Sequence, residues 1–435
     1  MNPFRHWRKF LALVLVGSLI AILASCSSGS RSANETAAGD EQSGTQTVEF
    51  WTMQLQPKFT DYFNQLIADF EAENADITVN WVDVPWADMQ SKVLTAVSAN
   101  TAPDVVNLNP DFASQLASRN AWLPLNEAVS AEQKAVYLPK IWQASTLANE
   151  SFGLPWYLTA RVTLYNQNIF QAAGISDPPA TFAELAEVAK QIKAETGKHA
   201  FFISFVPDDA ADVMQSFVQM GVPLVDQEGN AAFNTPAGRA VFQYWTDLYQ
   251  QELLPREVLT QGHRRAIELY QAGETAILAS GAEFLDAIAK NAPDIAEATA
   301  VAPQISGSTG KTNVAVMNLV IPRSTDVPEA ALKFALYVTN DENQLAFAKA
   351  ANVLPSTIAA TEDSYFTDLP ADASPVELAR SVSANQLANA EVLIPAMEDI
   401  KELQKIVYDN LQAAMLAEKT VDQAVEDAAA EWDAR

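Results

Sequence analysis

The pattern of apolar and polar positions becomes regular at residue 48, where "VEFW" reads as a strand. "KFTDYFNQLIADFEAEN" follows, with Phe59, Tyr62, Phe63, Leu66, Ile67 and Phe70 recurring along one helical face. "ITVNWVDV" predicts a second strand, "WADMQSKVLTAVSAN" a second helix and "PDVVNLN" a third, short strand. That alternation is the order of a parallel α/β layer, because parallel neighbours need a crossover between them. Further along, "PPATFAELAEVAKQIKAETGK" predicts a helix entered through Thr181, with Glu184 closing a capping box and Gly197 at its end. "NTPAGRAVFQYWTDLYQQ" predicts another, with Thr235 as N-cap, Pro236 at the first helical position, and Val241, Tyr244, Trp245 and Leu248 as the buried stripe. The chain closes with "VDQAVEDAAAEWDAR", an alanine-rich helix docked by Val421, Val425 and Trp432. No fixed-period repeat is present.

Before residue 47 the pattern is different. Arg5, Arg8 and Lys9 precede an apolar run from Phe10 to Ala24 that ends in small residues, the layout of a secretory signal peptide and too short to span a bilayer comfortably. Leu23, Ala24, Ser25 and Cys26 resemble the lipobox of bacterial lipoproteins. The resemblance implies a signal peptide over 1–25, lipidation of Cys26, and a protein anchored to the cell membrane that faces the periplasm or exterior. Cys26 is the only cysteine, so no internal disulfide is available. Residues 26–46 carry hardly any apolar surface and read as a flexible tether, with an end-to-end distance of about 25 Å. The roughly 390 residues that remain exceed what one core usually serves, and two lobes are expected.

Charge narrows the partners. The formal net charge is −27, and the leader holds three basic and no acidic side chains, so the rest of the chain is more acidic still. Such a surface repels phosphate backbones and anionic lipid heads, which excludes nucleic-acid binding through a basic groove and leaves the lipid as the membrane contact. Beyond the leader only His199 and His263 are available, with no HExxH and no paired cysteines, so no metal site or cofactor is expected. "GSTGKT" at 307–312 has Ile305 where a phosphate-binding loop needs glycine, and reads as a polar turn. No GxSxG elbow occurs, and no catalytic residue is assigned.

Four passages resemble the family 1 extracellular solute-binding proteins of bacterial ABC importers, in their maltose-binding-protein-like form. They are "LTAVSANTAPDVVNLN", "FGLPWYLTARVTLYNQNIFQAAGISDPPATFAELAEVAKQI", "YQAGETAILASGAEF" and "AALKFALYVTNDENQLAFAKAANVLPSTIAA". Together they span nearly the whole chain after the leader, in the family's order. The resemblance implies an α/β, two-lobed periplasmic-binding-protein fold of type II, with a hinge and a ligand cleft between the lobes. The first lobe is expected over 47–154 and 283–352, and the second over 155–282 and 353–435. The implied function is capture of a small carbohydrate or polyol by a monomeric, non-enzymatic receptor that closes and delivers its ligand to permease subunits. A secreted glycan-processing enzyme using two cleft carboxylates and an envelope adaptor for peptide or protein are the alternatives.

Sugars offer C–H faces to aromatics and hydroxyls to carboxylates and amides. By that chemistry the ligand-binding candidates are Trp51 at the end of the first strand, Asp83 and Trp86 after the second, and Asn109 and Asp111 after the third. Asp111 matches a sugar-binding acid of the family. At the crossing, Trp156 and Tyr157 are the stacking candidates, and Arg161 a fork for hydroxyls or a partner for a cleft acid. Glu283 and Phe284 follow Gly281 where the family often has Gly-x-Trp, a departure that favours a small ligand over a long stacked oligosaccharide. Asn318, on the return segment, completes the set.

Overall fold

The structure, a computed structural model, describes residues 45–435 except 208, 210, 395 and 398 and the side chain of Glu283. The expected signal peptide, Cys26 and the tether up to residue 44 lie outside the described residues. Gln46, assigned above to the tether, is already in a strand, where its N–H donates to Asp76 O at 2.8 Å.

In chain order the first elements are β1 (Gln46–Met53), α1 (Thr60–Glu73), β2 (Ile77–Val84), α2 (Trp86–Ser98), β3 (Val105–Leu108) and α3 (Pro110–Ala117). They continue with β4 (Leu154–Ala160), β5 (Val162–Asn166), α4 (Phe182–Thr196), α5 (Asp212–Gln219), α6 (Pro236–Gln250), α7 (His263–Gln271), β6 (Ile277–Ser280) and β7 (Thr299–Ala302). The return half supplies β8 (Thr312–Val320), α8 (Pro328–Val338), α9 (Asp341–Ala351), β9 (Leu354–Pro355), α10 (Pro375–Gln386), β10 (Ala390–Glu391), α11 (Ile400–Met415) and α12 (Val421–Asp433). Shorter helical turns fill the connections.

The predicted helix ends are borne out by their chemistry. Thr181 accepts from Glu184 N while the Glu184 carboxylate accepts from Thr181 N, and Gly197 takes the left-handed φ of +72° that stops α4. Thr235 caps α6 with Pro236 in its first turn. Thr420 and Gln423 form a further capping box at α12, whose Val425 and Trp432 are buried.

Two main sheets organise the chain, beside a two-stranded hairpin of Thr146–Leu147 and Glu150–Ser151. The larger runs in the order β9-β4-β8-β3-β1-β2, with β10 paired to β8. β1 is parallel to β2 and β3, whereas β8 enters antiparallel between β3 and β4. β1 is buried without interruption from Phe50 onward because helices cover both faces. Phe50 points toward α1, α8 and α9, and Trp51, the next residue, points toward α2. The smaller sheet, β6-β5-β7, is antiparallel and carries the second core beneath α4, α5, α6, α11 and α12.

Core membership divides the chain at other positions than the expected lobe boundaries. Residues 155–160 belong to β4 of the first sheet, and pairing continues to Ala160↔Val314 before β5 begins at Val162. Leu285 and Ile288 belong to the second core, with Ile295 and Val301 packed against it, and Val353, Leu354 and Phe366 belong to the first. A strand keeps its sheet until its pairing partner ends, so the chain leaves the first sheet at the last paired residue and not at the glycine or proline that punctuates the sequence nearby.

Candidate functional site

Three stretches pass between the cores: Ala160–Val162, residues 303–313, and the run from α10 to residue 393. Amide side chains tie them together. Gln386 Oε1 accepts from Gln304 N at 2.6 Å and its Nε2 donates to Arg161 O at 3.3 Å. Gln304 Oε1 accepts from Asn313 N at 2.6 Å, and Asn313 Oδ1 from Leu393 N at 3.1 Å. Glu391 pairs with Lys140 at 2.9 Å and Lys311 at 2.8 Å, and these cations hold its carboxyl below the usual range. Gln386, itself in the third stretch, thus bonds to both of the others, and its own carbonyl also accepts from Thr312 Oγ1 at 3.3 Å. Gln386→Ala is expected to cost about 1–3 kcal/mol by stranding buried donors and acceptors, read as a lower denaturation midpoint with an unchanged m-value.

On the first-lobe side, the carboxyl ends of β2 and β3 feed the amino ends of α2 and α3, where a parallel sheet leaves its crevice. Trp86 opens α2 with 45% of its surface exposed and its ring centroid 6.0 Å from that of Phe112. Asn109 is engaged as the cap of α3, accepting from Phe112 N at 2.8 Å. Asp111 sits in the first turn of α3; burial raises its pKa and Lys401 opposes the rise. Ala396 packs against this side, and Met397, which also packs against the second core, accepts at its carbonyl oxygen from Ser114 Oγ at 3.1 Å.

On the second-lobe side a charged cluster stands at the first crossing. Arg161 pairs with Asp212 in the first turn of α5. Asp209 Oδ2 accepts from His263 N at 2.7 Å at the start of α7. Gly262 permits that approach, because a Cβ there would fall 2.7 Å from Asp209 Oδ1. Burial and the Arg161 cation lower the pKa of His263, with Asp212 and Asp209 opposing. Arg161, Asp212 and His263, with Gln215, Gln219 and Gln304, form the polar side of a cavity of about 90 Å³. Phe182, Phe202 and Trp245 stand on its apolar side.

His263 therefore stays neutral in the folded state at a pH where the unfolded chain binds a proton. Its contribution to stability is present above the ordinary value of about 6.5 and declines as pH falls below it. Wild-type Tm is expected to drop between roughly pH 7 and 5 more steeply than that of His263→Gln; parallel profiles would remove the group from the balance.

The structure buries several of the sequence-derived candidates. Trp156 is 0% exposed, because the alternation of β4 turns it into the core among Phe50, Phe63 and Phe347. Trp51 lies under α2, its Nε1 donating to Glu49 at 2.6 Å and Lys92 Nζ standing 4.1 Å from its ring centroid. Asp83 is occupied by Thr52 Oγ1 and by the N–H groups of Leu55 and Gln56, which fix the turn after β1. Asn318 is buried at a sheet irregularity, accepting from Ser145 Oγ at 2.7 Å. Tyr157 and Phe284 are half-buried, and the side chain of Glu283 lies outside the described residues. Asp209, Asp212 and His263 were not singled out in the sequence; the available signal was "QGHRR", which contains one of only two histidines after the leader.

Among the described residues no group of three or more His, Cys, Asp or Glu side chains is placed to hold a metal ion, and no helix is long and apolar enough to cross a membrane.

Comparison with known proteins places this architecture. The family model described as bacterial extracellular solute-binding protein matches residues 56–345. A periplasmic-binding protein from Synechococcus sp. MITs9220, solved alone and in complex with zinc, is 44% identical, covers 89% of this chain and 98% of its own, and superposes with a TM-score of 0.83. An arabinooligosaccharide-binding protein of Halalkalibacterium halodurans is 27% identical over 324 residues, 71% of either chain. A diacetylchitobiose binding protein of Streptomyces coelicolor is 22% identical over 356 residues, 80% of this chain and 82% of its own.

Proposed function

The chain belongs to the bacterial extracellular solute-binding proteins and serves an ABC importer as its substrate-binding component, and from that premise we propose that it captures a small carbohydrate or polyol between its lobes. The first lobe comprises residues 45–160, 312–366 and β10, and the second 162–302 and 394–435, with α10 bridging them. Trp86 supplies a ring face, Asp111 accepts hydroxyl protons, and Arg161, Asp212 and His263 bind the opposite rim. Tyr157 and Phe284 complete the lining near the hinge. Arabinooligosaccharide and diacetylchitobiose, named for the relatives, mark the ligand chemistry as glycan-like.

One observation carries this reading: the exposed Trp86 and desolvated Asp111 stand at the strand ends of one lobe, and a polar cluster with an aromatic-lined cavity stands at the hinge side of the other. The protein is a non-enzymatic, monomeric receptor, held outside the cytoplasmic membrane by lipid on Cys26, and its closed form is what the permease reads. Ligand shifts the equilibrium only through contacts made better in that closed form.

A thermal-shift screen of mono- and disaccharides, glycosylglycerols and free polyols tests it. At least one sugar is expected to raise Tm saturably with no product formed on incubation; no response to any polyhydroxylated compound would overturn the carbohydrate assignment, and sustained sugar turnover would overturn the receptor assignment. Asp111→Asn sharpens the test. Removing a charge that burial disfavours stabilises the unliganded protein, and the loss of wild-type stability as pH rises through the raised Asp111 titration is expected to flatten in the variant. The same variant is expected to bind the sugar about tenfold more weakly, since hydrogen bonds to a charged acceptor are the strong ones.

A further inference from the structure

On the other face of the hinge, α10 packs against β4 and β9 of the first lobe and β5 and β7 of the second. Arg380, in its middle, is only 9% exposed. Its guanidinium carbon lies 3.8 Å from the centroid of the Tyr365 ring, which covers one face of the cation. Lys349 Nζ stands 5.6 Å from that same ring centroid and takes the nearby carboxylate, Asp363, at 3.3 Å. Arg380 makes no ion pair among the described residues, and its Nε–H has no hydrogen-bond partner. One helical turn further, buried Ser383 has an Oγ that is also without a partner.

Both residues line a cavity of about 10 Å³, closed by Thr159 and Ala160 from the first lobe and Ala282 from the second. That volume admits a single atom-sized guest. The unpartnered Arg380 N–H is a donor and the Ser383 hydroxyl can donate as well, so the guest is an acceptor. Glu377 acts on this cation only from beyond ion-pair distance, and a desolvated cation with no carboxylate in contact is costly, which favours an anion over a neutral molecule. We propose that Arg380 and Ser383 form a binding site for a small monoatomic anion of the halide class, behind the hinge and separate from the ligand crevice.

Because its walls come from both lobes, the site changes shape as the lobes move. Anion and ligand binding are then linked, each altering the affinity for the other by the same factor.

Sodium bromide and wild-type crystals give the direct test: an anomalous bromide peak is expected in contact with Arg380 Nε, and a well-ordered cavity without one would overturn the proposal. In solution, chloride or bromide is expected to raise wild-type Tm saturably by about 2 °C over gluconate or sulfate at matched ionic strength. Arg380→Gln and Ser383→Ala should weaken or abolish that increment. Equal responses to all four anions, or an undiminished increment in both variants, would overturn it.

Discussion

Trp156→Ala is expected to unfold the first lobe far more readily than wild type, with a loss of about 3–5 kcal/mol and a fall in Tm on the order of 10 °C. The indole stacks on Phe347 at 5.0 Å and an interplanar angle of 24°, meets Phe63 edge-on at 5.9 Å, and lies 6.4 Å from Phe50. Truncation leaves a cavity that a sheet covered on both sides cannot collapse into. Trp156→Phe should be much milder, because the indole Nε1 has no hydrogen-bond partner in the native state and nothing is stranded by removing it. Sugar affinity of the folded Trp156→Ala protein is expected to match wild type. Calorimetric binding below the transition checks this, and a large affinity loss with an unchanged Tm would return Trp156 to the ligand crevice.

Arg161→Met is the second large effect. Its ion pair with Asp212 is mostly sheltered, with 27% and 17% of the two side chains exposed. Removing the cation leaves the Asp212 carboxylate in a partly apolar cavity mouth, and the cost is set by that stranded charge more than by the lost attraction. A loss of about 2–3 kcal/mol is expected, below the range for fully buried pairs because solvent reaches both groups. The double variant Arg161→Met/Asp212→Leu should recover most of that stability while binding no sugar tightly, a non-additive result a double-mutant cycle measures. His263 provides an independent readout: with the neighbouring cation removed its pKa should rise, which NMR titration of the imidazole detects.

These two residues also show what the sequence discloses. The helices are legible because their apolar spacing, caps and stops are local: Thr181, Glu184 and Gly197 act within one segment. The parallel arrangement of β1–β3 follows from element order. Ligand-facing direction is not local. Trp156 and Tyr157 are adjacent, and only the pleat and the pairing of β4 with β8 decide that Trp156 enters the core. Asp83 looks free in the sequence, yet the turn after β1 consumes its oxygens. The Arg161, Asp209, Asp212 and His263 cluster joins positions on separate elements, and no spacing within a single stretch announces it. Trp86 and Asp111, two of the proposed contacts, can be placed from sequence because each stands at the amino end of a helix following a predicted strand.

The placement of β8 has a consequence for how the molecule is made. Residues 312–320 lie between β3 and β4 in the larger sheet, so the amino-terminal strands cannot complete their pairing until most of the chain is available. Closing so long a loop is slow relative to local helix formation. A polypeptide built this way leaves the facing edges of β3 and β4 open until residue 320 has been made, so its larger core closes late in synthesis.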